Sequence, residues 1–200
     1  MTARVRFEPM DEAQFRESLE QSIVRHAAEM VRRGHWTEAA SRETARGEFA
    51  LLLPQGRQTA NRRFRTIRDA ASGTRVGETW TTARPHGGKL QYWVDWLWID
   101  EPHRRKGYAR AALRALTEEA VRAGADRVGL VVLSDNLPAS TLYEELGFRD
   151  ESRRMILRFA GTGRPTARSA GSRAPRTRSK LPPRPRASRT TPLTGQRARP

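Results

Sequence analysis

The sequence predicts an α/β fold: one mixed, mostly antiparallel sheet of about six or seven strands with about four helices, followed by a disordered basic tail. Three observations carry this. The run Tyr92–Leu116, YWVDWLWIDEPHRRKGYARAALRAL, changes from strand to helix across a basic, glycine-containing turn. A second strand-then-helix unit follows between Arg127 and Gly147. The charge is very uneven. Residues 161–200 hold ten arginines, one lysine and no acid. That leaves 27 basic (38 less 11) and 22 acidic residues in 1–160. The division is a folded domain over 1–160 and a tail over 161–200.

Taken in order, Val5 and Phe7 alternate with charged residues, which suits a short strand with one buried face. Asp11 is placed to cap a helix starting near Glu12, with Phe15, Leu19, Ile23, Ala27 and Met30 at helical spacing. Gly34 ends it and His35-Trp36 begin a loop. Thr37 caps a second helix whose buried positions are read as Ala40, Phe49, Leu52 and Leu53, and Pro54-Gln55-Gly56 stops it. Arg63–Asp69 and Val76–Ala83 read as strands separated by Ser72-Gly73, the first of them edge-like. Pro85-His86-Gly87-Gly88 turns the chain into Tyr92–Ile99.

In that strand Tyr92, Val94, Trp96 and Trp98 form one face, and Trp93, Asp95, Leu97 and Ile99 the other. Both are apolar except at Asp95, so the strand is read as covered on both sides. A lone carboxylate there needs a partner or a task. The following helix, Gly107 to Ala123, has Ala109, Ala112, Leu113, Leu116 and Ala120 on one face. The turn Arg104-Arg105-Lys106-Gly107-Tyr108-Ala109 offers free N–H groups and the positive end of a helix, which is a way to hold phosphate. It is neither GxxxxGK[ST] nor GxGxxG. Arg127–Leu133 forms the next strand. Asn136 precedes a helix with Ala139, Leu142, Tyr143 and Leu146 on one face. A last strand is expected over Arg153–Phe159. The tail holds seven of the twelve prolines, with Leu181 and Leu193 as its only large apolar residues. It cannot offset an ordering cost of about 1–2 kcal/mol per residue.

Composition removes several classes. With no cysteine there is no disulfide, thiolate metal site or cysteine nucleophile. His26, His35, His86 and His103 show no ligand spacing, so no metal is expected. No apolar run spans a membrane and the N-terminus lacks an apolar signal core, so a cytoplasmic protein is the expectation.

The order strand, Arg104-x-x-Gly107-x-Ala109, helix, strand, Asn136-x-x-Ala139, then Leu142-Tyr143-Glu144-Glu145-Leu146-Gly147-Phe148, resembles the GNAT acetyltransferases, which use acetyl-coenzyme A (acetyl-CoA). The match covers Tyr92 to about Phe159. HAAEMVRRGHW, and ALLLPQG followed by Thr59, resemble one bacterial branch of that family. The resemblance implies that backbone N–H groups from Arg105 to Ala109 cradle the cofactor diphosphate, with Arg104, Arg105 and Lys106 adding charge. It departs from the family at Arg105, where glycine is common, and at Tyr108, usually aliphatic. It implies that the pantetheine amides pair with the backbone of Leu97, Trp98 and Ile99, and that Asn136 touches the cofactor. Locally, Asn136 serves equally as a helix cap.

Tyr143 is the implied donor to the departing thiolate, and at a pKa near ~10 it is protonated at neutral pH. The base stays open. Many relatives place a glutamate on the second strand of the cofactor pair, but here that strand reads Val131-Val132-Leu133. Glu78 and Asp95 on neighbouring strands are the candidates. Trp36 and His35 could wall the acceptor pocket, although an ordinary anchoring role suits Trp36 as well.

The function expected from the resemblance is an N-acetyltransferase moving acetyl from acetyl-CoA to a primary amine by direct attack in a ternary complex. The competing readings are a non-catalytic acyl-CoA sensor and a protein that binds nucleic acid through its tail. Eleven cationic side chains suit non-specific contact with a polyanion, but the tail has no aromatic residue to stack on bases. The expected partners are acetyl-CoA and an amine acceptor, then a polyanion and, as a homodimer, a second copy of the chain. A membrane is not among them.

Overall fold

Asp11 closes the first helix as its position demands. Its carboxylate accepts from Gln14 N–H at 2.8 Å, and the Gln14 side chain accepts from Asp11 N–H at 3.0 Å. This reciprocal cap satisfies two donors that a helix start leaves open. The computed structural model describes residues 3–152 and Met155. In it β1 (Val5–Pro9) leads to α1 (Glu12–Arg32) and α2 (Glu38–Leu52). Then come β2 (Arg62–Asp69), β3 (Arg75–His86), β4 (Lys89–Ile99), α3 (Tyr108–Arg122), β5 (Arg127–Leu130) and α4 (Leu137–Glu145). The expected strand at Arg153–Phe159 and the tail lie outside the described residues.

The five strands form one sheet in the order β1-β2-β3-β4-β5. Neighbours are antiparallel except β4 and β5, which are parallel. A parallel pair needs a crossover, and α3 supplies it. β2 is interior rather than edge-like: β1 pairs along it from Val5↔Asp69 to Pro9↔Arg65. Nor is the run open to solvent as an edge would be: Arg65 is buried and its guanidinium lies over the Phe7 ring.

One face of the sheet packs on α1 and α2 through Met10, Phe15, Ile23, Ala27, Ala45, Phe49, Leu53, Phe64 and Trp80, with Trp36 and Trp96 against them. On α2 the buried stripe is Ser41, Ala45 and Phe49. Ala40 and Leu52 are exposed. Steps of four from Ser41, ending on Leu53, describe the face better than the apolar residues alone. The other face packs on α3 and α4 through Val94, Leu113, Leu116, Leu142, Tyr143 and Leu146.

Asp95 explains the central strand. The register runs Trp80↔Trp96 and then Thr81↔Val94, so Asp95 has no opposite residue. It is the extra residue of a β-bulge. The bulge reverses the alternation. Val94 packs with α3, but beyond the bulge Leu97 and Ile99 take that side while Trp96 joins the α1–α2 core. The simple even and odd faces therefore hold only up to Asp95. Among the described residues, no helix is long and apolar enough to cross a membrane.

Candidate active site

The site begins where β4 and β5 separate. Their ladder covers only Gln91↔Arg127 to Val94↔Leu130. β4 continues five residues further, to Ile99, whereas β5 ends at Leu130 rather than Leu133. A sheet that opens this way presents the β4 backbone along a cleft, as an edge strand would. Val131, Leu133 and Leu137, on the diverging chain, are exposed apolar side chains.

The turn after β4 is exposed from Arg104 to Gly107. Arg105 (φ 60°) and Gly107 (φ 87°) are both left-handed. Such alternation turns successive N–H groups toward one concavity. Gly107 is also the cap residue of α3 and brings no side-chain acceptor. Of the four helices, α3 alone has neither a capping side chain bonded to its start nor an acid in its first turn. Its positive end is thus unmasked, which suits an anion.

The side chains of the turn are less free than a solvated basic turn would be. Arg104 Nε donates to the Ile99 carbonyl at 3.1 Å, and its guanidinium carbon lies 4.5 Å from the Trp98 ring centre. So the Ile99 carbonyl, one of the groups expected for the pantetheine arm, already accepts one bond. Lys106 Nζ donates to the Pro102 carbonyl at 2.8 Å. Tyr108 donates from its hydroxyl to Asp69 Oδ2 at 3.1 Å and packs on the Ile67–Val76–Ala112 cluster, so it anchors the helix start. Ala109 follows in the first turn of α3.

The left-handed turn accounts for Arg105 as a departure from glycine. A side chain in that conformation costs about 1–2 kcal/mol. Arg105→Gly is expected to raise stability by up to about 1 kcal/mol, part of the relief being lost to the freer unfolded chain. Urea unfolding of the variant checks this.

On the other flank, Asn136 caps α4: its Oδ1 accepts from Ala139 N–H at 3.3 Å. The amide nitrogen is left to donate elsewhere. Tyr143, two turns on, packs with cluster residues from β4 and α3 and lies 5.8 Å ring to ring from Phe148. Burial pushes its pKa above the usual value. Among the described residues its hydroxyl has no hydrogen-bond partner.

The two candidate carboxylates belong to separate groups. Glu78 is not a surface charge. Its side chain is 0% exposed, and it accepts from Arg25 Nη1 at 3.2 Å, Arg75 Nη2 at 3.0 Å and Trp96 Nε1 at 3.3 Å. Asp95 accepts from the Thr82 hydroxyl on Oδ2. Arg62 Nη1 lies 3.0 Å from the same oxygen, without hydrogen-bond geometry, so that contact is a charge pair. Asp95 Oδ1 has no partner among the described residues. Its side chain is 10% exposed. The arginines Arg25, Arg62 and Arg75 were not legible from sequence. No motif marks them, and Arg25 reaches Glu78 across 53 residues.

At the loop between α1 and α2, Trp36 packs on the core and edge-on to His26, 5.2 Å away, so it is an anchor. Arg33, at the end of α1, pairs with Asp135 just before Asn136 and with Glu29. The hydrogen bond from Arg32, with Arg33, pulls the Glu29 carboxyl down from 4.5 to about 2. A carboxyl lowered on folding stabilises fully above about pH 4.5 and loses that contribution as pH falls toward 2. Allowing for screening, the contribution is on the order of 1–2 kcal/mol. Glu29→Gln should flatten the loss of stability between pH 5 and 3, measured by urea unfolding.

Sheet, bulge, diverging strands and phosphate-type turn together define an acyltransferase fold of the GNAT class. The chain matches the model of the Acetyltransferase (GNAT) family over residues 28–148. It is 30% identical over 142 residues to the N-acetyltransferase YycN of Bacillus subtilis (strain 168), covering 71% of this chain and 90% of that one. It is 30% identical over 148 residues to YdgE of the same organism, covering 74% and 94%. The crystal structure of YycN superposes with a TM-score of 0.72 at 28% identity, covering 78% of this chain and 99% of that one. The chain belongs to the GNAT acetyltransferase family, which in general takes acetyl-CoA as co-substrate.

Proposed function

We propose that this chain is an N-acetyltransferase that moves acetyl from acetyl-CoA to a primary amine by direct attack in a ternary complex. The observation that carries it is the opening of β4 from β5 beyond Val94↔Leu130, next to a turn with two left-handed residues and an unmasked helix start. Diphosphate would rest on the N–H groups of Arg105–Ala109. The pantetheine arm would run along Leu97–Ile99, and Asn136 would donate to it from α4.

In the reaction the amine nitrogen forms a bond to the thioester carbon and the carbon–sulfur bond breaks. The chain's own groups then have three tasks. Backbone N–H groups of β4 past the bulge stabilise the oxyanion. Tyr143 gives its proton to the departing sulfur. A carboxylate removes the proton that an acceptor ammonium, at pKa near ~10.4 for a lysine-like amine, holds at neutral pH. Asp95 suits that task better than Glu78: it keeps an open oxygen at the bulge, while both oxygens of Glu78 are bonded and enclosed. No covalent enzyme intermediate is required, in keeping with a chain that has no cysteine.

Calorimetric titration with acetyl-CoA tests the reading. Saturable binding with a Kd below about 1 mM is expected, against a loss of at least tenfold for Gly107→Val, whose side chain is strained at positive φ and crowds the cradle. Absence of binding at millimolar acetyl-CoA would remove the assignment.

A further inference from the structure

Glu78 is the hub of a network that reaches the Arg104–Gly107 turn through Arg25 and Trp98. Arg25, on α1, is held by Gln21 Oε1 at 2.7 Å and Glu78 Oε1 at 3.2 Å. Its guanidinium carbon also lies 4.1 Å from the Trp98 ring centre. Arg104 rests on the same indole at 4.5 Å. Arg75 bonds the second oxygen of Glu78 and pairs with Asp100, directly after β4. Two cations on one indole repel each other. The arrangement holds because the Glu78 carboxylate neutralises Arg25 and the indole attracts both guanidiniums. Arg104 is different: among the described residues it has no carboxylate partner, only the Ile99 carbonyl and Trp98. It is a pre-ordered, uncompensated cation at the exposed turn.

We propose that Glu78 and Arg25 are positioning residues that act through Trp98 to fix Arg104 for the diphosphate end of acetyl-CoA. The inference rests on the acetyl-CoA reading above and deepens it. A long exposed arginine loses rotamer freedom when it grips a phosphate, and stacking beforehand removes part of that cost from binding. Without the Glu78 charge, Arg25 keeps only the neutral Gln21 amide oxygen, while Arg75 keeps Asp100. Arg25 then leaves the indole, Trp98 loses the side chain packed on its ring, and Arg104 keeps the Ile99 carbonyl but loses a fixed ring to rest on. This gives Glu78 a reason to be buried that proton transfer does not, since a base must be reachable by the proton it takes.

The test compares two ligands, coenzyme A and S-acetylpantetheine, which lacks the diphosphate. Arg25→Met is the first variant, because Arg25 is partly exposed and its loss leaves the sheet intact. Glu78→Gln is the second, and circular dichroism melts report whether each folds. The expected result is a loss of about tenfold in coenzyme A affinity for Arg25→Met, with S-acetylpantetheine affinity changed less than about twofold. In the cycle with Arg104→Ala the two losses should be sub-additive, because the effect of Arg25 passes through Arg104. Wild-type coenzyme A affinity in folded Arg25→Met, equal losses on both ligands, or strict additivity would overturn the inference while leaving the acetyl-CoA reading standing. So would a Glu78→Gln enzyme with lowered turnover and unchanged coenzyme A affinity, the signature of a base. A wild-type chain that binds neither ligand would take both readings down together.

Discussion

Tyr143→Phe is expected to lower turnover by about a hundredfold or more while changing acetyl-CoA affinity by less than about twofold. The separation follows from how the residue is held. Its ring packs among Val94, Leu113, Leu116, Leu142 and Leu146, and phenylalanine keeps all of that contact. Its hydroxyl has no partner among the described residues, so losing it breaks no bond within them and the melting temperature should move little. What is lost is a proton for the departing sulfur. General-acid catalysis of this kind is worth about 10²–10⁴-fold. Burial raises the phenol pKa, so the acidic form persists across neutral and mildly alkaline pH. The rate should therefore rise with pH as the acceptor ammonium deprotonates, and Tyr143 should impose no fall below about pH 10. Thiol release against an amine that the wild type acetylates measures both effects. Turnover equal to wild type would leave Tyr143 with packing alone.

The parts of the candidate site that were readable from sequence share a physical trait: they are contiguous. The turn Arg104–Ala109 needs glycine, positive charge and a following helix within six residues, so its chemistry is written locally. The same is true of Asn136, which turned out to cap α4, and of the helical face carrying Tyr143. The bulge was not readable. Alternation assigns faces only while the register holds, and the skipped residue is visible only opposite β3. Asp95 seemed an anomaly in an apolar strand because its position was judged by a period that ends there. The surroundings of Glu78 were not readable for a related reason. Flanked by Gly77 and Thr79, the residue carries no local sign of burial. Its three donors come from α1, from the start of β3 and from β4. Short apolar stripes misled in a smaller way. On α2, Ser41 and Ala45 are buried where the helix packs against α1, while Leu51 and Leu52 are exposed. Residue size ranks hydrophobicity, but closeness of approach decides which side chain fits.

Among the described glycines, Gly77→Ala is expected to be the most damaging alanine substitution, costing about 3 kcal/mol or more. Gly77 pairs with Ile99 across β3 and β4. A Cβ placed there would stand 2.1 Å from the Trp98 carbonyl oxygen and 3.0 Å from Ile99 Cα. Those atoms are backbone, so no rotamer change relieves the overlap, and one of the two strands must move. Either movement alters the spacing at β4, the strand expected to hold the pantetheine arm. Stability and acetyl-CoA affinity should therefore fall together, unlike the Tyr143 variant, where they separate from turnover. Gly47→Ala supplies the opposite sign from the same chemical change. Gly47 lies on the exposed side of α2 with nothing within 4 Å of its added Cβ. There alanine should stabilise by about 0.5–1 kcal/mol through helix propensity. Urea unfolding of the pair distinguishes crowding from a general intolerance of β-carbons. If Gly77→Ala unfolds within about 0.5 kcal/mol of wild type, β3 and β4 do not approach as closely at Trp98 as the structure has them, and the geometry assigned to the cofactor strand fails with it.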